Sequence, residues 1–196
     1  MANIRLYGND HSPWVQAVML GLHQKALPCT RITAPAPEIL MQWGVMMPAA
    51  SFDGEPWELE SKDLLVKLGY SPVSEQDMSA IQKTWLGVLH RSDFWTRFFG
   101  EFSLASDPSP YFVRRQLNNF FRSFTILYFF LVIRFAVLAG RRREPPSYGD
   151  QYQDWDARLA EITTPFLGGE KPDAIDLLLL GIIQCHCSIS VDRKST

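Results

Sequence analysis

Apolar and polar positions follow two different rhythms along this chain, and the change between them falls near residue 70. Ile4 to Tyr7 is short, apolar and interrupted by Arg5, which predicts a strand. From Pro13 to Lys25, Val15, Val18, Met19 and Leu22 recur at helical spacing, so that segment predicts a helix with one buried face. Pro28 to Thr33 predicts a second strand, and Ala34-Pro35-Ala36-Pro37 leads into a short helical segment ending near Trp43. Strand, Asp53-Gly54 turn, strand and a helix from Ser61 to Leu68 follow. The expected order is β-α-β-α-β-β-α.

Gly69 to Val73 holds Gly69, Ser71 and Pro72 between two periodic segments and predicts a linker. Beyond it the rhythm is helical. Ser74 with Asp77 three residues on is a variant of the capping box, and Met78, Ile81, Trp85 and Val88 line one face of the helix behind it. Ser109 or Pro110 opens a long aromatic-rich helix running to Gly140. Tyr152, Trp155, Leu159 and Ile162 mark another helix, with Asp154, Asp156, Arg158 and Glu161 on its wet side. The last helix starts at Asp173, with Asp176 in its first turn and an apolar run from Leu177 to Leu180 that predicts burial on nearly all sides. The fold class expected is α/β plus all-α, in two domains over residues 1–70 and 74–196.

Composition narrows the setting. With 196 residues, 46% hydrophobic and 20% charged, the chain can bury one large core or two small ones. A formal net charge of -2 gives no general attraction to nucleic acid or acidic membranes. Cys29, Cys185 and Cys187 are too few and too uneven for a disulfide framework, which points to a reducing compartment, the cytoplasm by default. Ala2 to Gly8 is too short an apolar segment for a secretory signal. Phe124 to Gly140 is the segment nearest to a membrane span. A span needs about 20 apolar residues, and an arginine such as Arg134 near its centre costs about 2.5 to 3.5 kcal/mol. A buried helix ending in the solvated Arg141-Arg142-Arg143 is the reading preferred over a membrane-associated one.

Candidate chemistry concentrates between Met47 and Ser61. Met47-Pro48, a strand, a tight turn, a strand and Ser61 at a helix N-terminus describe a backbone platform able to hold the carboxylate of a small peptide-like ligand. Ser12-Pro13 reads on spacing alone as an N-cap with proline at the first helical position. Tyr7 reads as a packed strand aromatic. Cys185-His186-Cys187 spreads its side chains around one helix and lacks a second ligand pair, so no metal is expected. His11, His23 and His90 are scattered. Trp85, Phe94, Trp95, Phe98 and Phe99 suit helix packing or an apolar substrate pocket. No phosphate loop or internal repeat is present in the sequence.

Taken in order, these motifs resemble the cytosolic glutathione transferases. The matching residues are Leu6-Tyr7-Gly8 followed by Ser12-Pro13-Trp14-Val15, Met47-Pro48, Asp53-Gly54, Glu60-Ser61, and Phe166-Leu167-Gly168-Gly169 leading into Lys171-Pro172-Asp173-Ala174-Ile175-Asp176. The resemblance implies a thioredoxin-like N-terminal domain, a helical C-terminal domain, a homodimer, and conjugation of glutathione to a small apolar electrophile. It is to a serine-type branch with a tau/zeta-like N-terminal motif, in which Ser12 donates a hydrogen bond to the glutathione sulfur. Tyr7 is the rival activator. The resemblance further implies that Ser61, with the N–H groups of its helix, holds the γ-glutamyl carboxylate, that Glu60 lies near the ammonium group, and that a cis Pro48 lets Met47 pair with the cysteinyl part.

The chain departs from the family's usual pattern at Trp43-Gly44-Val45-Met46-Met47, where a polar residue often stands, and at the small Ala49-Ala50-Ser51. It also ends about a dozen residues after Ile183, where members of the family continue through further helices, so a shortened helical domain is expected. These departures keep a second function open, a non-catalytic binding or scaffold protein on the same fold.

Overall fold

A computed structural model describes residues 3–9, 12–44, 46–89, 112–113, 116 and 152–188. Met1–Trp85 with Tyr152–Ser188 form one compact unit, and Leu86–Gln151 with Ile189–Thr196 form a second. The segment Phe124 to Gly140, the aromatic group from Phe94 to Phe99, and His11 and His90 lie outside the described residues.

The first unit is built on a mixed four-stranded sheet in the order β2-β1-β3-β4, with β1 at Ile4–Tyr7, β2 at Cys29–Ile32, β3 at Ala49–Phe52 and β4 at Glu58–Leu59. β1 runs parallel to β2 and antiparallel to β3. A parallel neighbour requires a crossover, which helix α1, Pro13–Gln24, supplies. Ile4 and Leu6 point to the opposite face of β1 from Tyr7, and all three are buried. The small residues of β3 have a physical reason. Ala49 pairs with Tyr7 and Ala50 with Leu6, so the small side chains sit beside large ones, and both alanines are fully buried.

Helix α1 buries Val15, Ala17, Val18, Gly21 and Leu22, while Met19 is half-buried. It ends in a Schellman motif: the Leu27 N–H donates to the Leu22 carbonyl at 2.9 Å and the Ala26 N–H to the His23 carbonyl at 2.9 Å. Ala26 carries the left-handed φ of +53° that this ending needs. Helix α2, Pro37–Trp43, covers the Tyr7 face through Ile39. Helix α3, Ser61–Lys67, buries Leu64 and Leu65 and ends in the same motif with Gly69 at φ +84°. The Tyr70 hydroxyl that follows has the Gly21 carbonyl and Gln24 Oε1 within reach of its proton, each at 2.9 Å.

Ser74 caps helix α4, Glu75–Leu89, in the expected box: the Asp77 N–H donates to Ser74 Oγ at 3.1 Å, and that hydroxyl donates to Asp77 Oδ2 at 2.7 Å. Helix α5, Gln153–Glu161, is tied to α4 by Trp155, whose Nε1 donates to Thr84 Oγ1 at 2.6 Å, and by the Lys83–Asp154 and Arg158–Asp77 ion pairs. Trp155 is its buried residue, and Leu159, expected on the apolar face, is exposed.

Helix α6, Ala174–Ser188, buries Leu177, Leu178, Leu179 and Ile182 but leaves Leu180 exposed, so its burial is three-sided. Asp173 and Asp176 organise its start. The Asp176 carboxylate accepts the N–H groups of Leu167 (2.8 Å), Gly168 (2.9 Å) and Asp173 (3.0 Å), and Asp173 accepts those of Ala174 and Ser71. Helix α6 then packs along α1 with Gly181 at the closest approach, where a Cβ would overlap the Pro13 carbonyl and lie 3.3 Å from the Ala17 Cβ. Among the described residues no helix is long and apolar enough to cross a membrane.

Candidate functional site

The turn from β4 into α3 leaves one residue to change direction. That residue is Glu60, with φ +80° and ψ 113°, a conformation that costs a side-chain-bearing residue about 1 to 3 kcal/mol. Glu60 is also the N-cap residue, because its carbonyl accepts the Leu64 N–H at 3.0 Å. Ser61 is therefore the first residue of the helix rather than its cap, and it is buried. On the other side, the Met47–Pro48 peptide is cis and Pro48 is buried at the entry to β3. The hairpin between β3 and β4 turns at Asp53 and Gly54, both with positive φ, and is held by the Asn3 N–H donating to Asp53 Oδ1 at 2.7 Å.

Between these two segments lies a cleft of about 180 Å³, lined by Trp14, Met46, Met47, Pro48, Leu59, Glu60, Ser61, Lys62, Met78 and Gln82. Ligand pockets for whole small molecules run from about 300 to 1,000 Å³. The smaller volume suits one end of a ligand. Its lining includes an acid, Glu60, a hydroxyl residue, Ser61, and a base, Lys62, together with apolar residues, a set of chemistries matched to a zwitterionic amino-acid head. Met47, Pro48, Glu60 and Ser61, singled out from the sequence, are all in this lining. Among the described residues Ser12 and Tyr7 are not.

Ser12 is the N-cap of α1 and half-buried, and its Oγ accepts the Val15 N–H at 3.4 Å, which leaves the hydroxyl's own proton for another acceptor. The Arg31 guanidinium braces the preceding turn, with Nη2 donating to the Gly8 carbonyl at 3.2 Å. Tyr7 belongs to the buried cluster with Ile39 and Ala49, and burial pushes its phenol above the ordinary tyrosine range. Cys185 is buried in α6, and desolvation raises its thiol to about 12, so it stays a thiol rather than the thiolate that binds metals. Among the described residues no group of three metal-ligating side chains converges.

Trp14, Met46, Leu59, Lys62, Met78 and Gln82 were not expected in the site. Met78 carried the signal of a core residue, since the helical spacing that places it beside Ile81 is the same for a core face and a cleft wall. Lys62 follows Ser61 directly and was legible as a neighbour of the platform.

By sequence the chain matches no family model and no curated protein. Solved structures do resemble it. The glutathione S-transferase of Pseudomonas fluorescens Pf-5 aligns over 96% of this chain and 87% of its own, at 14% identity and a TM-score of 0.52. Human glutathione transferase theta-2, solved with glutathione, aligns over 97% of this chain and 74% of its own, at 15% identity and a TM-score of 0.53. At such identities the likeness is one of fold. The chain has the fold of the glutathione S-transferases, a thioredoxin-like domain followed by a helical one.

Proposed function

We propose that the chain is a glutathione transferase whose cleft holds the γ-glutamyl end of glutathione. The observation that carries this reading is the convergence of Met47, Pro48, Glu60 and Ser61 on one small cleft beside a strained Glu60. Ser61 binds the γ-glutamyl carboxylate, Glu60 the ammonium group, and the Met47 backbone the cysteinyl part. Ser12 donates its free proton to the sulfur and stabilises the thiolate, which attacks a small apolar electrophile. A free thiol titrates at about 8.5, so each unit by which its pKa falls represents about 1.4 kcal/mol of thiolate stabilisation. Holding both reactants together supplies the rest by proximity. The buried Tyr7, its pKa raised, is the poorer thiol partner. The serine-type assignment, with its tau/zeta-like motif, rests on Ser12-Pro13-Trp14-Val15. Detoxification in the cytoplasm by a homodimer, with domains over 1–70 and 74–196, completes the reading.

Ser12 lies outside the cleft's lining, and this favours a second reading, a non-catalytic protein that keeps the fold and binds ligand or partner. Calorimetric titration with reduced glutathione separates the two. Transferase function predicts binding that Ser61→Ala abolishes. Ser12→Ala should spare affinity but remove the thiolate absorbance and cost about 1 kcal/mol of stability as a lost cap. Binding without thiolate absorbance in the unmodified chain supports the non-catalytic protein. A folded chain with no binding up to about 10 mM, weaker than about -2.7 kcal/mol, excludes a glutathione site.

A further inference from the structure

Three of the chain's six methionines, Met46, Met47 and Met78, line the cleft. Their access differs: Met46 is 54% exposed, whereas Met47 and Met78 are half-buried. A fourth, Met41, is 82% exposed on α2 and is not in the lining. A thioether is a flexible, polarizable apolar group, and oxidation converts it into a polar, chiral sulfoxide that reductases return to the thioether. Exposure governs which methionine reacts, and position governs whether the reaction matters. Met46 combines an exposed side chain with a place in the cleft lining.

We propose that Met46 is a reversible oxidation site for hydroperoxides, and that its sulfoxide form weakens ligand binding in the cleft. The proposal rests on the reading of that cleft as a glutathione site. In the forward step the Met46 sulfur attacks one peroxide oxygen, the O–O bond breaks, and an S–O bond forms. The displaced oxygen keeps the bonding pair, takes the proton from the transferred hydroxyl and leaves as water or an alcohol. Sulfur is oxidised by two electrons and the peroxide reduced by two. The reverse step uses a thiol-dependent methionine sulfoxide reductase, which takes the oxygen off as water.

Met46 shares the cleft lining with the apolar Trp14, Pro48 and Leu59 and the acidic Glu60, so its sulfoxide would add an acceptor with no proton to donate to a wall that offers it few donors. A bound ligand would trap it against apolar surface or bring its own carboxylate against it, and either arrangement leaves a desolvated acceptor unpaired. Affinity should fall roughly tenfold.

The test treats the full chain with hydrogen peroxide, removes the peroxide with catalase, maps sulfoxides by peptide mass spectrometry and measures glutathione affinity by calorimetry. Met46→Leu and Met41→Leu are carried alongside, each compared with its own untreated form. Met41 and Met46 should oxidise first. The unmodified chain and Met41→Leu should each lose about tenfold in affinity, Met46→Leu should keep its untreated value, and the reductase should restore the other two. Sulfoxide at Met46 with unchanged affinity, or an equal loss in Met46→Leu, overturns the inference while leaving the glutathione site standing. Absence of binding by the untreated chain overturns the glutathione reading, and this inference with it.

Discussion

Glu60 adopts a backbone conformation that only glycine takes without strain, yet the position holds an acid in the lining of the cleft. Glu60→Gly should therefore leave stability unchanged or raise it by about 1 kcal/mol in urea unfolding, while glutathione affinity falls. A drop in both would show that the side chain, not the conformation, holds the turn. Asp173 offers a test in pH. Burial acts to raise its pKa, but hydrogen bonds from Ser71 and Ala174 and the charge of Lys25 outweigh it, and the carboxyl titrates below its ordinary range. A carboxylate depressed in the folded state contributes stability above its unfolded pKa and loses it as pH falls through the folded one. Stability should decline from about pH 5 downward, and Asp173→Asn should flatten that acid limb. An unchanged limb would place the acid sensitivity elsewhere.

At the scale of elements, α1 and α3 end in the same motif, but α3 has Gly69 at the left-handed position and α1 has Ala26. Ala26→Gly should raise stability by about 0.5 to 1 kcal/mol, read as a higher urea midpoint with an unchanged slope. A fall would mean that chain entropy in the unfolded state outweighs the relief of strain. This site also shows where the sequence stops being readable. Strands, turns and caps announced themselves through local chemistry: Ile4 to Tyr7, Asp53-Gly54, and Ser74 with Asp77 all appear where spacing places them. The helix was expected to end at Lys25, but Ala26 gave no sign of its left-handed conformation, because alanine is the best helix former. Glu60 as cap was hidden for a related reason, since Ser61 is the stronger capping residue and only the geometry of β4 moves the cap back by one. Of the site, the Met47-Pro48 and Glu60-Ser61 pairs were legible as local motifs. Trp14, Met78 and Gln82 join them only through the packing of distant helices.

Across the whole first unit, α1 and α6 meet at Gly181 with no room for a side chain. Gly181→Val should destabilise by about 1 to 3 kcal/mol, as overpacking does. Because the wedge presses on Pro13, the residue after Ser12, it should also disturb the thiolate absorbance more than it changes calorimetric affinity. Equal loss of both would locate the damage in general unfolding. The same contact constrains how the chain is made. Lys67 closes the βαβαββα segment, but the helix that covers α1 starts only at Ala174, about a hundred residues later. At 5 to 20 residues per second, a ribosome takes roughly 5 to 20 seconds to cover that distance. Throughout that interval the Ala17 side of α1 stays bare in the nascent N-terminal half, apolar surface of the kind that chaperones cover until a partner helix emerges.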